Sequence, residues 1–235
     1  MRFLALTSLL CIATTMSVRG EVPVYAGENK AAIPFTNSGT AKLKNGDDAG
    51  AIVDLNRAIQ LDPAMWPAYL ARGQVFVKQR KWSLALEDLN TAAQLKPDFD
   101  QIFVFRAVVH AHFHHGAATL ADLDKALALG QESKGRAEML NMRAWIRATA
   151  TDPGLRDGPQ AIADATEAYK AKNDAPEYLD TLAVAYAETG DFNSAIRFEE
   201  EALHIGSTSN EITKQLREHL AAFKQHRPIR DNAWK

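Results

Sequence analysis

An all-α, right-handed solenoid of about five helix pairs, closed by a capping helix, is the fold class that this sequence predicts. Three observations predict it. Small and turn-forming residues recur at a step of 34: Gly39, Ala51, Ala58 and Pro63 reappear as Gly73, Ala85, Ala92 and Pro97, Ala126 follows Ala92, and Ala168 and Ala202 repeat the step. Apolar residues inside each repeat keep helical spacing, as in Ile52, Leu55, Ile59 and in Leu86, Leu89, Ala93. No alternating apolar and polar run between turn signals suggests a strand.

The first segment stands apart from that pattern. Met1 and Arg2 precede an uncharged run from Phe3 to Val18, with Gly20 at a plausible cut, so residues 1–20 read as a secretory signal peptide and 21–30 as an extended leader. The chain is therefore expected to be exported, periplasmic or extracellular, with no membrane insertion after cleavage. Ser8-Leu9-Leu10-Cys11 lacks the small residue that a lipidation box needs before its cysteine. Because Cys11 is the only cysteine, the chain beyond the signal has no disulfide and no thiolate ligand.

The solenoid is expected over 31–206, in repeats of about 32–64, 65–98, 99–131, 134–173 and 175–206. Gly39 or Gly73 in a first helix and Ala51 or Ala85 in a second lack the bulk that would hold the pair apart. Asn45-Gly46-Asp47 and Thr189-Gly190-Asp191 supply left-handed turns within a pair. Leu61-Asp62-Pro63 and Leu95-Lys96-Pro97 end second helices, since proline cannot continue them. The fourth repeat is irregular: Ala126 to Ala168 spans 42 residues, and Thr149 to Gly158 contains a proline and two glycines. Asp157 with Gln160 three residues on reads as a cap for the helix that follows, with Pro159 in its first turn. Ser209 and Asn210 open a capping helix over 207–227, whose Ile212, Leu216, Leu220 and Phe223 form one apolar stripe. The tail, 228–235, is expected to be loosely ordered.

These residues resemble the tetratricopeptide repeat (TPR) over roughly Ala32 to Ile205. The strongest copies are Trp66, Gly73, Phe76, Trp82, Ala85, Leu89, Ala92, Pro97 and Leu182, Ala183, Tyr186, Gly190, Asp191, Phe192, Ala195, Ala202, Leu203. Leu155-Arg156-Asp157-Gly158 and Tyr178-Leu179-Asp180-Thr181-Leu182-Ala183 look like a variant found in bacterial members. The resemblance implies a stack of helix pairs whose first helices line a groove for a protein or peptide partner, without catalysis or cofactor.

Function is narrower to read. With 27 Lys and Arg against 29 Asp and Glu, the chain offers no electrostatic footprint for nucleic acid. G-x-S-x-G, H-E-x-x-H and phosphate-cradling glycine loops are absent. In repeat register the groove positions are Asn37, Thr40, Lys44; Ala71, Gln74, Lys78; Phe105, Val108, His112; Met142, Trp145, Thr149; and Thr181, Val184, Glu188. Phe105, Val108, Met142 and Trp145 are expected to form an exposed apolar floor that carries partner binding, with Trp145→Ala weakening it and leaving the helices intact. Only Lys44 and Lys78 match the cationic pattern by which some TPR domains clamp a peptide carboxylate. His110, His112, His114 and His115 are weak candidates for metal ligands, since i,i+3 and i,i+4 spacing puts imidazoles on one helical face but no carboxylate or thiolate completes the set. Glu87 with Asp88, Asp122 with Asp124, and Glu199-Glu200-Glu201 read as solvated charge on second helices. Two functional readings stay open beside the histidine site: an interaction module with an occupied groove, and a structural or assembly protein with the groove vacant, with an oligomer as a further open alternative.

Overall fold

The 34-residue step resolves into helices of 12 to 14 residues joined by tight turns. The structure, a computed structural model, describes residues 30–130, 135–173, 175–206 and 209–234. The expected signal peptide and all but Lys30 of the leader lie outside the described residues. In chain order the helices are α1 (Ile33–Lys44), α2 (Asp48–Leu61), α3 (Trp66–Lys78), α4 (Trp82–Leu95), α5 (Asp100–His112), α6 (Gly116–Leu129), α7 (Arg136–Thr149), α8 (Gly158–Ala171), α9 (Pro176–Glu188), α10 (Phe192–Ile205) and α11 (Asn210–Phe223), with a 3-10 turn at Pro153–Leu155. The fold is an all-α solenoid, with no strand among the described residues and one isolated bridge, Ala150 to Asp231. None of the described helices is long and apolar enough to cross a membrane.

Two compact units divide the described chain, one of 30–113 with 124–130 and one of 114–123 with 135–234. In the first, α1 packs on α2 and α3, and α3 packs on α4 and α5; in the second, α7 packs on α8 and α9, and α9 packs on α10 and α11. Within each unit, α1, α3, α7 and α9 thus touch both their own partner and the helix that opens the next step, which is how a repeat stack extends its core. Leu43, Ala51, Leu55, Met65, Ala68 and Val75 form that core at the start of the first unit. Gly39 has to be glycine there, because a Cβ would stand 2.6 Å from Leu55 Cγ and 3.2 Å from the Ala51 carbonyl oxygen.

The turns keep a left-handed residue at a fixed place. Gly46 and Gly190 hold φ of 82° and 84°, and Arg80 and His114, at steps of 34 from Gly46, hold 57° and 60°. A side chain in that region costs about 1–2 kcal/mol, less what glycine loses through a freer unfolded chain. Arg80→Gly should therefore raise the free energy of unfolding, by about 1 kcal/mol, read as a higher urea midpoint at unchanged helicity.

Caps close several second helices. Asp47, Asp157 and Asp191 accept from the backbone N–H of Gly50, Gln160 and Ser194, and Ser209 does so from Ile212 at the start of α11. The Asp157–Gln160 cap falls where its spacing suggested.

The carboxylates of the second helices are a correction to the solvated reading. Glu87 and Asp124 are exposed, but Asp88 and Asp122 are buried. They sit one turn from the small residues where the paired helices approach, and at Asp88, as at Asp164 of the fourth repeat, an arginine of the first helix pairs with the carboxylate. Arg72 donates to both oxygens of Asp88 at 2.8 and 2.7 Å, and Arg143 to both of Asp164 at 2.7 Å. In the first repeat Ser38 donates to Asp54 at 2.6 Å, and Lys42 pairs with the same carboxylate at 2.7 Å. The Lys42 and Ser38 hydrogen bonds hold the Asp54 carboxyl below the usual carboxylate range.

Candidate functional site

The register positions of the first helices divide between the two compact units. In the first unit Asn37, Lys44 and Lys78 are exposed, and Lys78 pairs with Asp48 at 2.7 Å. Thr40 turns its hydroxyl back to the Thr36 carbonyl at 2.9 Å, while Ala71 and Gln74 are buried. His112 is half-buried, stacked on Trp82 with ring centroids 4.2 Å apart.

The expected apolar floor is a correction. Phe105, Val108 and Met142 are all but fully buried and Trp145 is 8% exposed, so none of the four presents an open contact surface. Thr149, Thr181 and Val184 are buried as well. Apolar side chains left at these positions would meet water. For Trp145 and its neighbours in the second unit, the chain itself supplies the cover.

That cover is the segment 227–234, which is a second correction, since it was expected to be loosely ordered. Trp145 Nε1 donates to Asp231 Oδ2 at 3.2 Å, and the Asp231 amide donates to the Thr149 carbonyl at 2.9 Å. The Thr151 amide and hydroxyl both donate to the Trp234 carbonyl, at 3.0 and 2.9 Å. Arg230 pairs with Glu188 at 2.6 Å, and Arg156 reaches the same carboxylate at 3.0 Å. Ile229 is buried and Trp234 is 1% exposed, its ring meeting His114 edge-on. Three sequence-predicted groove residues, Trp145, Thr149 and Glu188, thus converge on one non-helical segment of the same chain, which ends in a turn from Asp231 to Trp234.

The four clustered histidines do not converge. Among the described residues, the set of three or more His, Asp or Glu side chains whose ligand atoms approach within 4.8 Å is Asp180, Glu199 and His219. His114 acts as the left-handed turn residue, His112 as a ring on Trp82, and His115 is exposed. The convergent set comes from α9, α10 and α11, all three side chains buried. His219 Nδ1 lies 2.6 Å from Asp180 Oδ1 and 4.0 Å from Glu199 Oε1. Both oxygens of Glu199 are buried without a hydrogen bond. Burial, and then the neighbouring Asp180, push the Glu199 carboxyl well above the usual carboxylate range. Glu199 is therefore a further correction to the solvated reading, while Glu200 and Glu201 are exposed. The signal was in the register: α10 runs over Phe192–Ile205 as α4 runs over Trp82–Leu95, which puts Glu199 in the place of the core residue Leu89. By the same alignment of α9 on α3, Asp180 stands in the place of Leu70.

No protein-family model matches the chain, and no curated protein matches it. Among solved structures the chain is similar to YrrB, described as a TPR protein with an unusual peptide-binding site, with a TM-score of 0.67 at 16% identity over 80% of this chain and 92% of that one. It is also similar to two crystal structures of MamA. One has a TM-score of 0.62 at 17% identity over 75% of this chain and 92% of that one, the other 0.59 at 19% over 75% and 96%. At such identities the likeness is one of fold.

Proposed function

We propose that this protein is a non-catalytic interaction module that holds a segment of a partner protein along the first helices of its second unit, α7 and α9. One observation carries the reading: three positions on these helices, Trp145, Thr149 and Glu188, already grip a non-helical segment, 227–234, through an indole N–H, a main-chain carbonyl and a carboxylate. Backbone hydrogen bonds give such recognition its strength, and side-chain partners give it selectivity. In the first unit, taken by itself, the register positions Asn37 and Lys44 are exposed, while Lys78 is already paired with Asp48. The peptide-binding site named for YrrB agrees with this reading. The basic start and apolar run of residues 1–20 support export to the periplasm or beyond.

A protease site placed after His226 allows the segment to be cut from folded protein and washed away. Labelled peptide 227–235 should then rebind in trans, and a peptide carrying Asp231→Ala should bind at least about tenfold more weakly, the worth of one buried charge-assisted hydrogen bond. Cut protein that keeps its helicity and ignores the peptide would favour the assembly reading, in which these helices hold no ligand.

A further inference from the structure

We propose that Asp180, Glu199 and His219 form a binding site for one divalent transition-metal ion of the zinc class. Three helices that pack in succession each aim one ligating side chain at a common point, and the three ligand atoms lie within 4.8 Å of one another. Ligands on an ion with bonds of about 2.0–2.1 Å in tetrahedral array stand roughly 3.3 Å apart. His219 Nδ1 stands 4.0 Å from Glu199 and is hydrogen-bonded to Asp180 at 2.6 Å, so an ion entering between them would replace that hydrogen bond and part the pair by less than about 1 Å.

The second observation is Glu199 itself. Its carboxylate is fully buried, occupies a core leucine's place and has both oxygens without a hydrogen-bond partner. A charge in that condition is unstable unless something neutralises it. His219 Nδ1 is engaged with Asp180 at 2.6 Å and stands 4.0 Å from Glu199; a divalent cation between the three groups would satisfy both carboxylates at once. The donor set selects the class. One imidazole nitrogen with two carboxylate oxygens suits Zn2+ and its neighbours, whereas Mg2+ and Ca2+ call for about six or more oxygen ligands. Bridging α9 and α10 to α11, the ion would fasten the last helix to the stack.

The purified full chain, stripped with chelator and then dialysed against a low concentration of Zn2+, should retain about one ion per chain by elemental analysis, and its melting temperature should rise with Zn2+ concentration. Co2+ in place of Zn2+ should give the visible absorption of a low-symmetry nitrogen and oxygen site. Glu199→Leu, which returns the residue the register calls for, should fold, lose the ion and melt independently of Zn2+. Glu199→Gln, of the same shape, serves if the leucine variant misfolds. The proposal is overturned if the parent holds no stoichiometric Zn2+, which would leave a proton as the neutralising species. It is equally overturned if both variants hold Zn2+ as the parent does, which would put the ion elsewhere, as on the histidines between His110 and His115.

Discussion

Trp145→Ala should lower the free energy of unfolding by about 3–5 kcal/mol, the usual cost of emptying a buried aromatic site. The indole lies under the segment 227–234, donates to Asp231 at 3.2 Å and has the His219 ring 6.0 Å away. Its loss would leave a cavity against α11 and strip a buried carboxylate of one donor. Trp145→Phe keeps the packing and gives up only the N–H, so it should cost nearer 1 kcal/mol. Urea unfolding followed by circular dichroism measures both. An alanine variant with the parent's midpoint would mean that the segment does not rest on Trp145. This replaces the expectation that alanine here would affect only a partner.

Asp164→Ala is expected to be at least as damaging, about 3–5 kcal/mol. Asp164 accepts from Arg143 twice, from Gln160 at 2.8 Å and from Arg147 at 3.5 Å, and it is 2% exposed. Removing it takes from the Arg143 guanidinium, itself largely enclosed, the carboxylate that accepts two of its hydrogen bonds. The loss follows from leaving a buried cation undercompensated more than from the intrinsic worth of the pair. Replacing both Arg143 and Asp164 with leucine should accordingly recover much of the stability. A double variant no better than Asp164→Ala would refute that explanation.

The periodic part of the architecture was legible because a solenoid writes its contacts locally. Gly39 against Leu55, the left-handed glycines and the Asp157 cap all depend on residues within one repeat, so spacing alone reveals them. The register assigned Trp145, Thr149 and Glu188 to groove positions, and the structure brings all three against one segment. What covers those positions was not legible, since Asp231 lies 86 residues beyond Trp145 and belongs to no repeat. Nor does apolar character at a groove position distinguish a surface awaiting a partner from one already covered. Glu199 was missed for a different reason. Read beside Glu200 and Glu201 it looked like solvated charge, whereas aligned on Leu89 it is an acid placed inside a core.

The contact between Trp145 and Asp231 also orders events in time. Closing a longer loop costs only logarithmically more entropy, yet the contact cannot form before both ends exist. At typical synthesis rates of about 5–20 residues per second, a span of 86 residues takes about 4–17 s to produce. During that interval α1 to α5, which need only neighbours in sequence, have what they require to dock. On α7, meanwhile, the indole waits bare while α8 to α11 are made. A nascent chain is therefore most open to chaperones and to proteolysis around 145–157, and it closes there only when the segment from Arg227 to Trp234 arrives.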